Sequence, residues 1–137
     1  MPFKVIVDTN VWVSYFINGR INYLIKWMLD HEAELINSEE LIAEIEEVLH
    51  RPKFHLKRSK QDITDFLRLL REMTTLYQVD ATFKSAPDVG DNFLFDLASQ
   101  GNADYLITSD KKLLYFNPGF DLKIVSFSEF RTLLSDI

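Results

Sequence analysis

The chain has 137 residues, the usual length of one domain, and its 47% hydrophobic and 26% charged residues are typical of a folded protein rather than a disordered one. It contains no cysteine, which excludes a disulfide scaffold and a cysteine-based zinc site. Fifteen Lys and Arg against 21 Asp and Glu give a net charge of −6, which argues against nucleic-acid binding because phosphate contacts usually need a basic surface.

No segment of the sequence predicts a membrane span or a signal peptide. The nearest candidate, Val5–Ile17, is interrupted after a few residues by Asp8, Thr9 and Asn10. We therefore expect a soluble protein located in the cytoplasm.

Short apolar runs alternate along the chain with amphipathic segments, and this order is typical of a parallel sheet covered by helices on both faces. The predicted strands are Phe3–Val7, Glu34–Asn37, Tyr105–Thr108 and Leu122–Val125. The predicted helices cover about Val11–Phe16, Asn22–Asp30, Asn37-Ser38 to Arg51-Pro52, Gln61–Leu76, Asp91 to Gly101 and Ser128–Leu134. Asn37, with Glu40 three residues later, predicts a capping box at the third helix. The fold class is thus a three-layer α/β/α sandwich with a mostly parallel sheet, as one domain over residues 1–137.

Carboxylates occur where such a fold places its working crevice, beyond the carboxyl ends of the strands. Asp8 follows the first strand and Asp110 follows the Tyr105–Thr108 strand. Glu44 lies in the helix after the second strand, and Asp91 opens the helix after a loop rich in Pro and Gly. Carboxylates that converge repel one another, so the pattern favours a site for a hard divalent cation.

Each of these acids also has a structural interpretation. Asp8, Asp91 and Asp110 stand where side chains commonly cap or favour a helix N-terminus. Glu44 borders one edge of the apolar stripe of its helix, where a carboxylate is costly, but Glu46 borders the other edge. Helical periodicity alone does not choose between Glu44 and Glu46.

Three stretches of the sequence resemble the PIN domain family of metal-dependent ribonucleases, specifically a subgroup of bacterial and archaeal toxins from toxin–antitoxin pairs. They are VIVDTNVWVS, SEELIAEIEEVLHRPKF and DNFLFDLASQGNADYLITSDKKLL, and they sample most of the chain in the family's order. The resemblance implies a PIN-like, Rossmann-like fold with a four-acid site. The acids at the matching positions are Asp8, Glu44, Asp91 and Asp110.

The resemblance also implies roles for neighbouring residues. Asp96 matches a position that is often acidic in this subgroup, either as a further metal ligand or in an outer or structural role. It falls five residues after Asp91, about 140° around the helix, which argues against a shared inner shell. Asn10 and Thr108 match polar positions and would either hold the carboxylates by hydrogen bonds or cap the backbone.

The implied activity is hydrolysis of RNA phosphodiester bonds, with one or two Mg²⁺ or Mn²⁺ ions held by the four acids. The resemblance alone also implies that the protein forms a homodimer and is blocked by an antitoxin. The alternative is a PIN-like module that binds protein or RNA without cleaving it. A haloacid-dehalogenase-like phosphatase would need a second Asp where Asn10 stands, and a receiver domain would need an acidic neighbour for Asp8, so both are disfavoured.

Residues 50–60 form a basic connector without any acidic residue, next to the helix that carries Glu44. We interpret it either as a solvated loop or as a contact for the RNA backbone. If four acids belong to a metal site, the rest of the chain has 17 acidic and 15 basic residues, a net charge of −2. Because a third of the basic residues lie in this connector, the charge distribution permits an RNA substrate. The cations of the connector are Arg51, Lys53, Lys57, Arg58 and Lys60.

Overall fold

The computed structural model describes residues 3–55 and 57–135, except for the side chain of His55. Its strands are β1 (Phe3–Val7), β2 (Ala33–Asn37), β3 (Thr75–Leu76), β4 (Tyr105–Ile107) and β5 (Lys123–Val125). Its helices are α1 (Thr9–Ile17), α2 (Ile21–Asp30), α3 (Glu39–Leu49), α4 (Pro52–His55), α5 (Lys60–Met73), α6 (Asn92–Gln100), α7 (Lys111–Leu114) and α8 (Phe127–Ser135), with a 3₁₀ turn at Val89–Asp91. No helix within these ranges is long and apolar enough to cross a membrane.

The strands pair in parallel in the order β3-β2-β1-β4-β5, which confirms the predicted α/β sandwich with a parallel sheet. Strand β1 is central, and the side chains of Val5, Ile6 and Val7 are fully buried. A continuous apolar run is what a strand covered on both faces requires. The central position of β1 explains why Val5–Val7 are all apolar.

The order of the strands places a crevice between β1 and β4. The chain leaves β1 towards β2 on one side, and returns later to form β4 on the other side. Val7 pairs with Ile107, so the two strands end at the same level of the sheet. Helices that leave in opposite directions from neighbouring parallel strands open a cleft at this point. Residues 8 and 108–110 therefore lie at the same edge.

The predicted helix Gln61–Leu76 is wrong at its C-terminal end. Helix α5 ends at Met73, and Thr75 and Leu76 form β3 beside Ile36 and Asn37 of β2. Thr74 leaves the helix in an extended conformation, and the residues after it pair with β2 although their apolar spacing fits a helix. The strand is too short to have its own signal in the sequence.

Two local predictions also need correction. The N-cap of α3 is Ser38, whose hydroxyl accepts a hydrogen bond from the Leu41 amide, and Asn37 belongs to β2 instead of capping the helix. The basic connector, for which a solvated loop was one of the two interpretations, contains the short helix α4. Pro52 is the first residue of α4, where its missing amide hydrogen costs nothing.

Helix α3 is held against α1 and α5 by buried and surface contacts. The rings of Phe16 in α1 and Phe66 in α5 stack with centroids 4.4 Å apart. Arg71 near the end of α5 donates to both carboxylate oxygens of Glu39 at the start of α3, at 2.7 and 2.9 Å. Helix α5 therefore contacts α1 through Phe66 and α3 through Arg71, and α1 and α3 also contact each other directly.

Candidate active site

Asp8 is the most deeply placed acid at the edge of β1 and β4, with 6% of its surface exposed. Its Oδ1 accepts a hydrogen bond from the Thr9 amide at 2.7 Å, and its Oδ2 accepts one from the Thr108 hydroxyl at 2.8 Å. Asp8 is also the N-cap residue of α1. Each carboxylate oxygen has a second lone pair, so capping leaves Asp8 able to bind a cation.

Thr108 joins the ends of the two strands. Its hydroxyl donates to Asp8 and accepts a hydrogen bond from the Asp110 amide at 3.1 Å. Asp110 in turn caps α7, because its Oδ1 accepts from the Lys112 amide at 2.9 Å. One buried hydroxyl therefore connects two of the predicted site acids.

Glu44 reaches the same region from helix α3. It is half-buried, and its Oε2 accepts a hydrogen bond of 2.6 Å from the hydroxyl of Thr9. Glu46, the residue that periodicity could not distinguish from it, is exposed. Thr9 thus contacts two acids, Asp8 through its amide and Glu44 through its side chain.

Asp91 approaches from a third segment, at the junction of the 3₁₀ turn and α6. It occupies the N-cap position of α6, but its side chain makes no capping hydrogen bond. Asp88 instead caps the turn, accepting from the Gly90 amide at 3.0 Å. The carboxylate of Asp91 is therefore not used to start its helix.

The charges that act on these acids are uncompensated. Partial burial, followed by repulsion from Asp8, Asp88, Glu44 and Asp110, raises the pKa of Asp91 to about 6. Burial likewise raises the pKa of Asp8, against the opposing effect of the hydrogen bonds from Thr108 and Thr9. The four predicted acids thus influence one another electrostatically, which requires them to share one region.

The donor set fits a hard divalent cation, since it consists of carboxylate oxygens with an excess of negative charge. Within residues 3–55 and 57–135, no three His, Asp or Glu side chains are close enough together to ligate one ion as they stand. Mg²⁺ is commonly held by only one or two carboxylates and keeps several water molecules. The chemistry of the residues therefore fits such an ion, with water completing its coordination.

Two residues named from the sequence lie outside this group of acids. Asn10 is exposed, and its side chain makes no hydrogen bond to the carboxylates in the described part of the chain. Asp96 is buried, and its Oδ1 accepts three hydrogen bonds, from the amide and hydroxyl of Thr82 and from the Phe83 amide, at 2.7 to 3.0 Å. Asp96 thus anchors the loop before the 3₁₀ turn.

The cations of the basic connector have two different environments. Arg51, Lys53, Lys57 and Lys60 are exposed, and none of them forms an ion pair with a described residue. Arg58 is half-buried, and its Nε donates to the carbonyl of Phe16 at 3.2 Å. Arg58 therefore ties the connector to α1, whereas the other four are available to solvent.

Two residues of this region have roles that were not predicted from the sequence. Thr9 was not assigned a role, although it directly follows Asp8 and its hydroxyl is the hydrogen-bond donor to Glu44. Asp88 caps the 3₁₀ turn, and its charge also acts on Asp91. The position of Thr9 next to an acid at the end of a strand could have marked it as a site residue. Its hydrogen bond to Glu44 could not be predicted, because that bond depends on the packing of α1 against α3.

Comparison with known proteins agrees with the fold. A comparison with curated proteins gave no significant match. The family model described as PIN domain matches residues 4–112, which is most of the chain and includes all four acids. This chain therefore belongs to the PIN domain family.

Proposed function

We propose that this protein is a metal-dependent endoribonuclease that hydrolyses RNA phosphodiester bonds at the site formed by Asp8, Glu44, Asp91 and Asp110. PIN domains are generally nucleases. The observation that carries the proposal is the mutual repulsion of these acids: partial burial, followed by repulsion from Asp8, Asp88, Glu44 and Asp110, raises the pKa of Asp91 to about 6. This unneutralised negative charge is what a divalent cation would balance.

The residues of the site would hold one or two Mg²⁺ or Mn²⁺ ions. Such an ion, when bound, lowers the pKa of a water molecule and stabilises the charge that develops on the phosphate. Asp8 is suited to be the fixed ligand, since both of its oxygens are already oriented by hydrogen bonds. The side chain of Asp91 makes no hydrogen bond to its own helix, and it would bind the metal ion in its ionised form.

The exposed cations of the basic connector would contact the phosphates of the RNA on either side of the cleaved bond. Arg51, Lys53, Lys57 and Lys60 have no acidic partner that competes with a phosphate in the described ranges. Arg58 is left out of this proposal because its guanidinium group is engaged with α1. The half-buried ring of Phe54, over which Lys53 lies at 5.0 Å, anchors the connector to the core.

The subgroup that the sequence resembles also leads us to propose that the enzyme acts as a toxin in the cytoplasm, as a homodimer, with an antitoxin that blocks its site. These proposals rest on the resemblance, and the acidic site supports only the nuclease chemistry. Co-purification from cells and sedimentation of the purified chain test the antitoxin and the dimer separately.

Cleavage of total RNA with mapping of the new ends tests the activity. We expect cleavage with Mn²⁺ or Mg²⁺ that EDTA abolishes, and a loss of at least about 100-fold in Asp8→Asn and Asp91→Asn. Asp30→Asn is the matched control, since Asp30 is exposed at the end of α2 and pairs only with Lys26. Absence of both metal-dependent cleavage and any rise in melting temperature with Mn²⁺ would overturn the proposal; metal binding without cleavage would favour the non-cleaving module.

A further inference from the structure

The side chain of Thr9 is buried at the first position of helix α1, and its contacts are unusual for a threonine in a helix. Only 4% of Thr9 is exposed. Within a helix, a threonine hydroxyl commonly bonds to the carbonyl four residues earlier, but the first position of a helix has no such carbonyl within the helix. The hydroxyl of Thr9 instead reaches helix α3, where it donates to Glu44 at 2.6 Å.

We infer that Thr9 is a positioning residue of the proposed nuclease site, which holds the carboxylate of Glu44 beside that of Asp8. This inference rests on the proposed function. A glutamate has three side-chain torsions, and fixing them costs conformational entropy each time the group must be oriented to bind a ligand. The hydrogen bond from Thr9 fixes one oxygen, Oε2, and Oε1 has no hydrogen-bond partner in the described part of the chain.

The same residue also fixes Asp8, through its backbone. The Thr9 amide donates to Oδ1 of Asp8 at 2.7 Å, so one residue contacts acids that are 36 positions apart in the sequence. Both are bonds to carboxylates, which are among the stronger hydrogen bonds in proteins. Because the amide contact survives any side-chain substitution, a change at position 9 can release Glu44 while keeping the bond to Asp8.

This arrangement predicts different results for two substitutions of Thr9. Thr9→Val keeps the shape of the side chain and removes the hydroxyl, while Thr9→Ser keeps the hydroxyl. For Thr9→Val we expect the dissociation constant for Mn²⁺ to rise about 10-fold or more, the range found when outer hydrogen bonds to metal ligands are removed. Thr9→Ser should restore the affinity to within a few-fold of wild type.

Isothermal titration with MnCl₂ measures this affinity without any RNA substrate, and cleavage at increasing Mn²⁺ gives a second measurement. If Thr9 acts by positioning, Thr9→Val needs more Mn²⁺ for half-maximal cleavage, and saturating Mn²⁺ recovers much of the rate. Thr64→Val is the matched control, because the Thr64 hydroxyl bonds only to the Lys60 carbonyl of its own helix.

The outcomes separate this inference from the proposed function. If wild type binds Mn²⁺ and cleaves RNA, and Thr9→Val has the same Mn²⁺ affinity as wild type, the role of Thr9 is overturned and the nuclease remains. The role of Thr9 is likewise overturned if Thr9→Ser is as impaired as Thr9→Val, since the hydroxyl is then not what matters. If wild type neither binds Mn²⁺ nor cleaves, the proposed function itself fails. Circular dichroism of each variant shows that it is folded.

Discussion

The hydroxyl of Thr108 donates a hydrogen bond of 2.8 Å to Oδ2 of Asp8, although the two residues are 100 positions apart in the sequence. This bond joins the end of β4 to the end of β1. The hydroxyl oxygen of Thr108 also accepts a hydrogen bond from the Asp110 amide, so the acids after both strands depend on one side chain. Thr108 is almost completely buried, with 1% of its surface exposed.

Replacement of Thr108 by Val should therefore weaken both the fold and the site. It leaves Asp8 without one donor and the Asp110 amide without its acceptor, at a cost of about 1–3 kcal/mol in the free energy of unfolding. The pKa of Asp8 should rise further, since the bond from Thr108 now opposes the effect of burial. Denaturant unfolding and Mn²⁺ titration measure the two effects. Thr108→Ser is the control, and a Val variant with wild-type stability and Mn²⁺ affinity would contradict the prediction.

The ionisation of Asp91 predicts how stability depends on pH in the absence of metal. Its pKa in the folded chain, about 6, exceeds the ordinary aspartate value of 3.8, so between these values the folded state binds a proton that the unfolded state has lost. The contribution of this group to stability is therefore greatest below pH 3.8 and falls as the pH rises through about 6. We expect the melting temperature of the wild type in EDTA to fall, relative to that of Asp91→Asn, as the pH rises across this range.

Saturating Mn²⁺ provides the control for this pH dependence. A bound cation favours the ionised carboxylate, so the apparent affinity for Mn²⁺ should increase with pH below about 6 and level off above it. The difference between wild type and Asp91→Asn in EDTA should then be absent or reversed with metal. Melting curves of the two proteins that stay parallel over the whole pH range in EDTA would show that Asp91 is not in the repulsive environment described above.

Asp96 provides a test of which acids belong to the site. Replacement by Asn removes the charge from an oxygen that accepts three hydrogen bonds, and should lower the free energy of unfolding by about 1–3 kcal/mol. Affinity for Mn²⁺ should change by only a few-fold, in contrast to Asp8→Asn. Thermal unfolding and titration with MnCl₂ distinguish the two roles. A large loss of metal affinity with unchanged stability would return Asp96 to the set of ligands.

The basic connector predicts a dependence of RNA cleavage on salt. Joint replacement of Lys53 and Lys57 by Gln removes two exposed cations, so the KM for RNA should rise at low salt while kcat stays the same. The slope of log affinity against log salt concentration should decrease by about 1.4, if each lysine contacts one phosphate of a single strand. Joint replacement of Lys26 and Lys123, which are exposed on other elements, is the matched control. Equal slopes for the two double variants would show that the connector does not contact RNA.

How much the sequence revealed depends on whether a feature is local. Strand β1 was predicted with its correct bounds because its buried part, Val5–Val7, is an apolar run that ends abruptly at Asp8. The two-residue strand β3 could not be predicted, since only its pairing with β2 distinguishes it from the end of a helix. The family and the α/β sandwich are confirmed, because they rest on patterns spread over the whole chain.

In the candidate site, too, local features could be predicted from the sequence and contacts between distant segments could not. Asp8 and Asp110 could be named as candidates because Asp8 directly follows one predicted strand and Asp110 comes two residues after another. Choosing Glu44 over Glu46 required the family resemblance, and the contact of Glu44 with Thr9 depends on how α1 and α3 pack. The sequence did not decide the role of Asp96, since helical geometry argued against a shared shell but did not reveal its contact with Thr82.

The central place of β1 has a consequence during protein synthesis. The ribosome makes β1 about 100 residues before its neighbour β4, and Asp110 follows later still. A nascent chain that has completed β1, β2 and β3 carries Asp8 and Glu44 but lacks the two acids that complete the proposed site. The proposed site would therefore be complete only once Asp91, β4 and Asp110 have been made and β4 docks beside β1.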